Sequence, residues 1–291
     1  MTSTANLLRT WTARLQQSGV PSPEHDVRRL AAEVLAVGPV EVALVPDISA
    51  EQRRQIADLV TRRATREPLQ HIIGSAAFID LDLEVGPGVF VPRPETESLA
   101  AYVVSWLSGR QAPQLVVDLC TGSGALALAI ATQVPQVQVV GVELSTSALE
   151  YARRNLARCR SKLKTDAVKF MAADATDVDL LPELSGEVDL VVSNPPYIPN
   201  NAVPRDPEVA EYDPPMALYG GADGLDVVRD LIPVAHRLLR PGGLVAFEHG
   251  ELQGGSDGVP GVIASFGRFE EIQLSRDLAD RPRFTTAVRR D

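Results

Sequence analysis

Cysteine is scarce: across 291 residues only Cys120 and Cys159 carry a thiol. They lie far apart and without metal-ligand spacing, and the four histidines (His25, His71, His236, His249) form no cluster, so neither a disulfide nor a metal site is expected. There is no apolar run of membrane-spanning length, and Arg9 and Arg14 interrupt the apolar positions at the N-terminus where a secretory leader would need them unbroken. A cytoplasmic monomer without membrane association is the expectation. Internal repeats, low-complexity tracts and a basic, aromatic-interleaved surface are missing as well. The net charge of −10 is unevenly placed: residues 1–75 hold nine arginines and eight carboxylates, a balance of about +1, which leaves about −11 for the remainder. Binding to duplex DNA depends on neutralising phosphates, so an acidic second part disfavours it, and a protein or small-molecule substrate fits better.

What is present reads as an ordinary globular chain. A hydrophobic fraction of 45% with 23% charged residues gives room for one or two sizeable cores, and two domains are expected. Residues 5–17 set Leu7, Leu8, Trp11 and Leu15 at helical spacing. A second helix opens at Ser22 with Pro23 in its first turn and turns Val27, Leu30, Ala31, Val34 and Leu35 inward. A third begins at Ser49, where Ser49-Ala50-Glu51-Gln52 fits a capping box, and runs to Arg62, Arg63 and Arg66. That arginine run reads as a solvated helix face, with a docking surface as the alternative.

From Ala77 to Val91 the period changes to two, with Phe78, Leu81, Leu83 and Val85 before Gly86-Pro87-Gly88 and then Val89, Phe90 and Val91. The pattern predicts a β-hairpin between the domains, turning at the glycines. Val91-Pro92-Arg93-Pro94-Glu95-Thr96-Glu97 leads into a helix, its proline and carboxylates suiting a helix N-terminus; capping alone accounts for them, although Arg93 and Thr96 are also placed to face a site. Strands at 114–119, 137–143, 167–171, 188–193 and 243–248 then alternate with helices at 124–132, 145–158 and 224–239, with a short helix near 262–266 and a closing hairpin at 271–274 and 284–288. Such alternation predicts a right-handed, mostly parallel, doubly wound sheet.

Two stretches carry chemistry. Val117-Asp118-Leu119-Cys120-Thr121-Gly122-Ser123-Gly124 is an apolar strand running into a glycine turn and a helix, and Glu143 ends the next strand where a carboxylate can accept ribose hydroxyls. The turn alone leaves a nicotinamide enzyme and a methyltransferase open. Asp118 favours the latter, because a carboxylate before the turn would repel a pyrophosphate and attract the cationic S-adenosyl-L-methionine. Asp174 stands where an exocyclic adenine amine could be met, or is simply a loop carboxylate. The second stretch is Ser193-Asn194-Pro195-Pro196-Tyr197. Its prolines lack N–H groups and fix φ, so it holds one shape and presents an amide beside an aromatic ring, suited to a flat, polar, uncharged group. By itself it reads equally as a surface turn; at the carboxyl edge of the same sheet as the glycine turn, it reads as half of a site.

Together with Glu67 to Gly74, Arg93 to Glu97, and Glu211-Tyr212-Asp213-Pro214-Pro215 followed by Leu218 to Gly224, these motifs resemble the PrmC/HemK family of peptide chain release factor N5-glutamine methyltransferases over almost the whole chain. The resemblance implies a Rossmann-like class I methyltransferase α/β sheet with a closing antiparallel hairpin and a small N-terminal helical bundle. Its domains would be 1–75 for substrate recognition, 76–92 as a linker and 93–291 for methyl transfer. It implies S-adenosyl-L-methionine as cofactor, contacted at Phe90, Arg93, Thr96, Asp118, Cys120, Thr121, Gly122, Ser123, Gly124, Glu143, Asp174, Ala175 and Asn194. Class 1 release factors are the implied protein partner, and Asn194, Pro195, Pro196 and Tyr197 the catalytic and substrate contacts. Asn194 Oδ1 and the Pro195 carbonyl would accept the two glutamine amide hydrogens while Tyr197 packs on the amide plane. Cys120 departs from the family's usual glycine, which puts in question whether that position has a special backbone need; Glu143 replaces the commoner Asp, and Ala175 a larger side chain. A glutamine on a ribosomal protein, adenine in nucleic acid, and a non-catalytic cofactor-binding module remain as rivals.

Overall fold

The computed structural model describes residues 3–111, 113–163 and 167–291. The chain forms two units: one runs to Ser75 and takes back Pro204–Tyr212, and the other holds Ala76–Val203 and Asp213–Asp291. Among the described residues no helix is long and apolar enough to cross a membrane.

In the smaller unit α1 (Thr4–Gln17), α2 (Pro23–Leu35), α3 (Ala50–Ala64) and α4 (Leu69–Ile73) enclose a core of Trp11, Leu15, Val27, Leu30, Ile56 and Val60. The capping box forms: Gln52 N donates to Ser49 Oγ at 3.1 Å, and Ser49 N donates to Gln52 Oε1 at 3.0 Å. The arginine run is not the solvated face that the sequence suggested. Arg63 is 5% exposed, its Nε 2.8 Å from Asp26 Oδ2 and its Nη2 2.8 Å from Glu208 Oε1, while Arg66 Nε donates to the same Glu208 at 2.7 Å. Asp26 is buried on α2, and a buried carboxylate requires a charged or hydrogen-bonding partner, which draws Arg63 inward. Arg62 stays exposed and pairs with Glu67.

The larger unit opens with β1 (Ser75–Phe78) and β2 (Leu81–Glu84), paired as a two-stranded sheet. The hairpin therefore turns at Ile79-Asp80 and not at the glycines. Residues 85–93 form no strand, since Pro87 has no N–H to give a ladder, and Val85, Val89 and Val91 pack instead with Ala148 and Tyr151. Then follow α5 (Pro94–Ser108), β3 (Gln114–Leu119), α6 (Ala125–Gln133), β4 (Val137–Glu143), α7 (Thr146–Cys159), β5 (Val168–Ala172) and β6 (Val188–Ser193). Beyond β6 come α8 (Pro207–Tyr212), inside the segment returned to the smaller unit, and α9 (Pro215–Leu218), α10 (Asp226–Leu238), β7 (Leu239–Glu248), α11 (Val259–Phe266), β8 (Phe269–Arg276) and β9 (Pro282–Arg289). α11 begins earlier than its glycine-rich sequence suggested, with Pro260 in its first turn.

The main sheet has the order β5-β4-β3-β6-β7-β9-β8; the first five strands are parallel, and β9 runs antiparallel between β7 and β8. This is the Rossmann-like sheet with a closing hairpin. Alternation sorts its side chains: Val116, Leu190, Val192, Leu244 and Ala246 pack with Leu99, Val103 and Ile130 of α5 and α6, whereas Val117, Val191, Val245 and Phe247 pack with Val228, Leu231 and Ala235 of α10. Both faces are covered, which is why the central strands read as continuous apolar runs.

Candidate active site

The parallel register brings the two chemical stretches together. Leu119 is paired with Ser193 on one side and Val142 on the other, so the turn after β3, the carboxylate ending β4 and the Asn194 segment after β6 emerge at one edge of the sheet. The junctions are tied: Ser193 Oγ donates to Leu119 O at 2.6 Å, Thr121 N to Val142 O at 3.0 Å, and Gly122 N to Glu143 Oε2 at 2.8 Å. Strand order reverses around β3, the place where open α/β sheets bind ligands.

Asp118 lies under the turn at 1% exposure, its Oδ2 accepting from Thr121 Oγ1 and from Ala127 N at 3.2 Å. Its Oδ1 is buried with no hydrogen-bond partner among the described residues. Burial pushes this carboxyl up to about 7 against the pull of Thr121 and Ala127, so a cationic ligand would favour its ionised form. Cys120 takes φ +59°, so the position does keep the left-handed backbone that glycine usually serves; the substitution changes the side chain and not the turn. Its thiol is pushed up to about 12 by burial and neighbouring Glu143, which leaves it inert as a nucleophile. A side chain at Gly122 would meet nothing within 4 Å, leaving open space before the backbone there. Ser123 and Gly124 are buried where α6 begins. Glu143 is half-buried and also accepts from Ser145 N at 2.8 Å. Asp174 is exposed and accepts from Thr176 N at 2.9 Å; Ala175 behind it is buried. An unpartnered buried carboxylate oxygen, open space over a glycine turn and a carboxylate at the second strand end together fit S-adenosyl-L-methionine.

The Asn194–Tyr197 segment is held where it leaves for Ile198. Gln253 Nε2 donates to Tyr197 O at 2.9 Å, Ile198 N to Leu218 O at 2.8 Å and Gly220 N to Ile198 O at 2.9 Å. Tyr197 is half-buried; burial, reinforced by Glu248, raises its hydroxyl above the ordinary tyrosine range, so the ring stays neutral. Asn194 Nδ2 lies 3.4 Å from the buried Thr96 Oγ1, which sets Thr96 beside Asn194. Arg93 stacks on the Phe90 ring, 4.9 Å from its centroid, and pairs with Asp213, so these two residues are held by each other and by the Asp213-Pro214-Pro215 stretch. Sequence reasoning missed Glu248, buried at the end of β7 facing Thr96 and Asn194. The sequence shows only an ionisable residue closing an apolar strand at the ligand edge of the sheet, which does not reveal that Thr96 and Asn194 face it.

Residues 6–74 match the PrmC N-terminal domain and residues 114–258 a methyltransferase domain. A methyltransferase from Pyrococcus furiosus shares the fold, with TM-score 0.52 at 19% identity over 82% of this chain and 98% of that one. The chain is thus a class I, S-adenosylmethionine-dependent methyltransferase. It is 47% identical over 291 residues, 99% of each chain, to the release factor glutamine methyltransferase of Mycolicibacterium smegmatis, and it belongs to that family. It is also 40% identical over 265 residues, 89% of this chain and 86% of that one, to a 4-amino-L-phenylalanine/4-methylamino-L-phenylalanine methyltransferase of Streptomyces pristinaespiralis.

Proposed function

We propose that this protein methylates the side-chain amide nitrogen, N5, of a glutamine in class 1 peptide chain release factors. The observation that carries the reading is the pairing of Leu119 with Ser193, which sets the rigid Asn194–Tyr197 segment beside the cofactor turn in a chain related over its full length to release factor glutamine methyltransferases. S-adenosyl-L-methionine supplies an electrophilic methyl group when bound, with Asp118, Gly122 and Glu143 as the residues that hold it.

The remaining work falls to the acceptor side. An amide nitrogen is a weak nucleophile because its lone pair is delocalised into the carbonyl, so rate comes from orientation and from stabilising the charge that develops. Asn194 Oδ1 and the Pro195 carbonyl accept the two N–H groups, and the Tyr197 ring packs on the amide plane. No strong base is required: N–H acidity rises as the new bond forms, and water takes the proton. Asn194→Ala should leave cofactor binding near wild type and abolish transfer.

The test is transfer of labelled methyl from S-adenosyl-L-methionine to a purified class 1 release factor, with the modified residue located by peptide mass spectrometry. Methyl on a glutamine, lost in Asn194→Ala, is expected. Label on DNA, on a ribosomal protein or on 4-amino-L-phenylalanine with none on the release factor would overturn the reading.

A further inference from the structure

We infer that Glu248 is a positioning residue that, through the Thr96 hydroxyl, dictates which end of the Asn194 side-chain amide faces the substrate. The inference rests on the proposed glutamine transfer and adds the part that makes Asn194 an acceptor.

Glu248 ends β7 on the face of Ala246, and Asn194 follows β6 on the face of Val192, so both meet the first turn of α5, where Thr96 lies. Glu248 is 1% exposed and Thr96 4% exposed. The Glu248 carboxyl faces the Thr96 hydroxyl and the Asn194 amide, while its Oε2 has no hydrogen-bond partner among the described residues. Nothing in the binding of a cofactor at Asp118, Gly122 and Glu143 needs this buried carboxyl.

The two ends of an asparagine amide are nearly the same size and differ in hydrogen-bonding role: Nδ2 only donates and Oδ1 only accepts. A glutamine NH2 needs an acceptor, so a flipped Asn194 would oppose donor to donor. An ionised carboxylate accepts only. Thr96 must then donate its single hydroxyl hydrogen to Glu248, which leaves the Thr96 oxygen to accept from Asn194 Nδ2, 3.4 Å away. That chain has one direction, and it leaves Asn194 Oδ1 for the substrate. A protonated Glu248 can donate to Thr96, reverse the chain and release the amide to flip. Burial pushes Glu248 up to about 7, opposed by Thr96, Arg283 and Asn194 and reinforced by Glu95, so the reversal falls near neutral pH. The charged and titratable groups facing it are Arg283 on β9, Glu95 on α5 and Tyr197 after β6. Asp118 titrates in the same range at the other side of the site.

The test uses the full chain with Glu248→Gln, Thr96→Val and Thr96→Ser. S-adenosylhomocysteine affinity reports an intact cofactor site, kcat and KM for the release factor report alignment, and the Asn194 side-chain NH2 resonances report its hydrogen bonding. Glu248→Gln and Thr96→Val should lower kcat by about 10- to 100-fold, the loss a misaligned reactive group produces, with KM and S-adenosylhomocysteine affinity changed less than about twofold. Thr96→Ser, which keeps the hydroxyl, should restore kcat. In wild type the Asn194 NH2 resonances should titrate near pH 7, with kcat falling below it. Glu248→Gln should remove that step from the Asn194 resonances, and any step from Asp118 should then remain in kcat alone. Wild-type kcat in both Glu248→Gln and Thr96→Val, or an Asn194 titration that survives Glu248→Gln, would overturn the inference. A wild-type enzyme that leaves release factors unmodified would overturn the proposed substrate instead, and the Asn194 resonances would still decide the role of Glu248.

Discussion

At Gly224 a side chain has nowhere to go. The residue has φ +78°, and a Cβ there would lie 2.1 Å from Tyr197 O and 2.9 Å from Tyr197 C, both backbone atoms of the proposed acceptor segment. Tyr197 O is also held by Gln253, so the carbonyl cannot retreat without giving up a hydrogen bond. Gly224→Ala should therefore cost stability, by about 1–3 kcal/mol for a strained backbone position, and displace the Asn194–Tyr197 segment. Turnover should fall much further than S-adenosylhomocysteine affinity, because the proposed cofactor turn follows β3 and shares no residue with this loop. Thermal unfolding, calorimetric titration and steady-state kinetics on the same variant check the three parts; equal losses in affinity and turnover would mean that Gly224 supports the whole sheet edge and not the acceptor segment. Cys120 marks a limit of reading a turn from residue types alone. It reads as a departure from glycine, yet its backbone still takes φ +59°.

At the scale of elements, the two arginines on neighbouring positions of α3 separate burial from charge. Arg63 joins Asp26 and Glu208 with its side chain 6% exposed, whereas Arg62 meets Glu67 with 47% of its side chain exposed. Removing one partner of a buried pair leaves an uncompensated charge, so Arg63→Ala should destabilise the protein by about 3–5 kcal/mol. Arg62→Ala should cost less than about 1 kcal/mol, since water screens an exposed pair. Urea unfolding midpoints of the two variants give the comparison, and similar values would refute the assignment. Nothing in Arg62-Arg63-Ala64-Thr65-Arg66 distinguishes these roles, because the carboxylates that pair with Arg63 lie elsewhere in the chain, Asp26 on α2 and Glu208 far downstream. The longer helices and the parallel strands were legible because each is written in local periodicity, as in the two-faced burial of Val116 and Val117, whereas the short α4, α8 and α9 have too few residues to show a period. That the glycine turn follows β3 and the Asn-Pro-Pro-Tyr segment follows β6 was legible because their residue types limit the backbone. Glu248 was not, because its role comes from a register three-dimensional packing sets, one that brings the end of β7 beside Thr96 and Asn194. The hairpin was misplaced for a related reason: Gly86-Pro87-Gly88 is the stronger turn signal, but the burial of Val89 and Val91 beside Ala148 decides the backbone there.

Across the whole molecule the chain enters the smaller unit twice, first up to Ser75 and again at Pro204–Tyr212, and Glu208 on the second visit neutralises Arg63 and Arg66 from the first. While the larger unit is folded, both ends of the returning segment are fixed by it. If the larger unit unfolds, the segment must be held at the end of a flexible stretch of about 128 residues, and closing such a loop costs about 4 kcal/mol or more. That penalty is comparable to the value of the buried ion pairs the segment completes, so the smaller unit should not survive the unfolding of the larger one with Glu208 in place. The proposed cofactor residues all belong to the larger unit, which makes S-adenosylhomocysteine a probe of this linkage. At a hundred times its Kd it should add about 2.7 kcal/mol, and calorimetry should show one transition that moves upward as a whole. Amide exchange in α3 should slow with it, although α3 contributes no proposed cofactor contact. Two transitions, only one of which responds to the ligand while α3 exchanges unchanged, would show that the returning segment holds to the helices without help from the sheet.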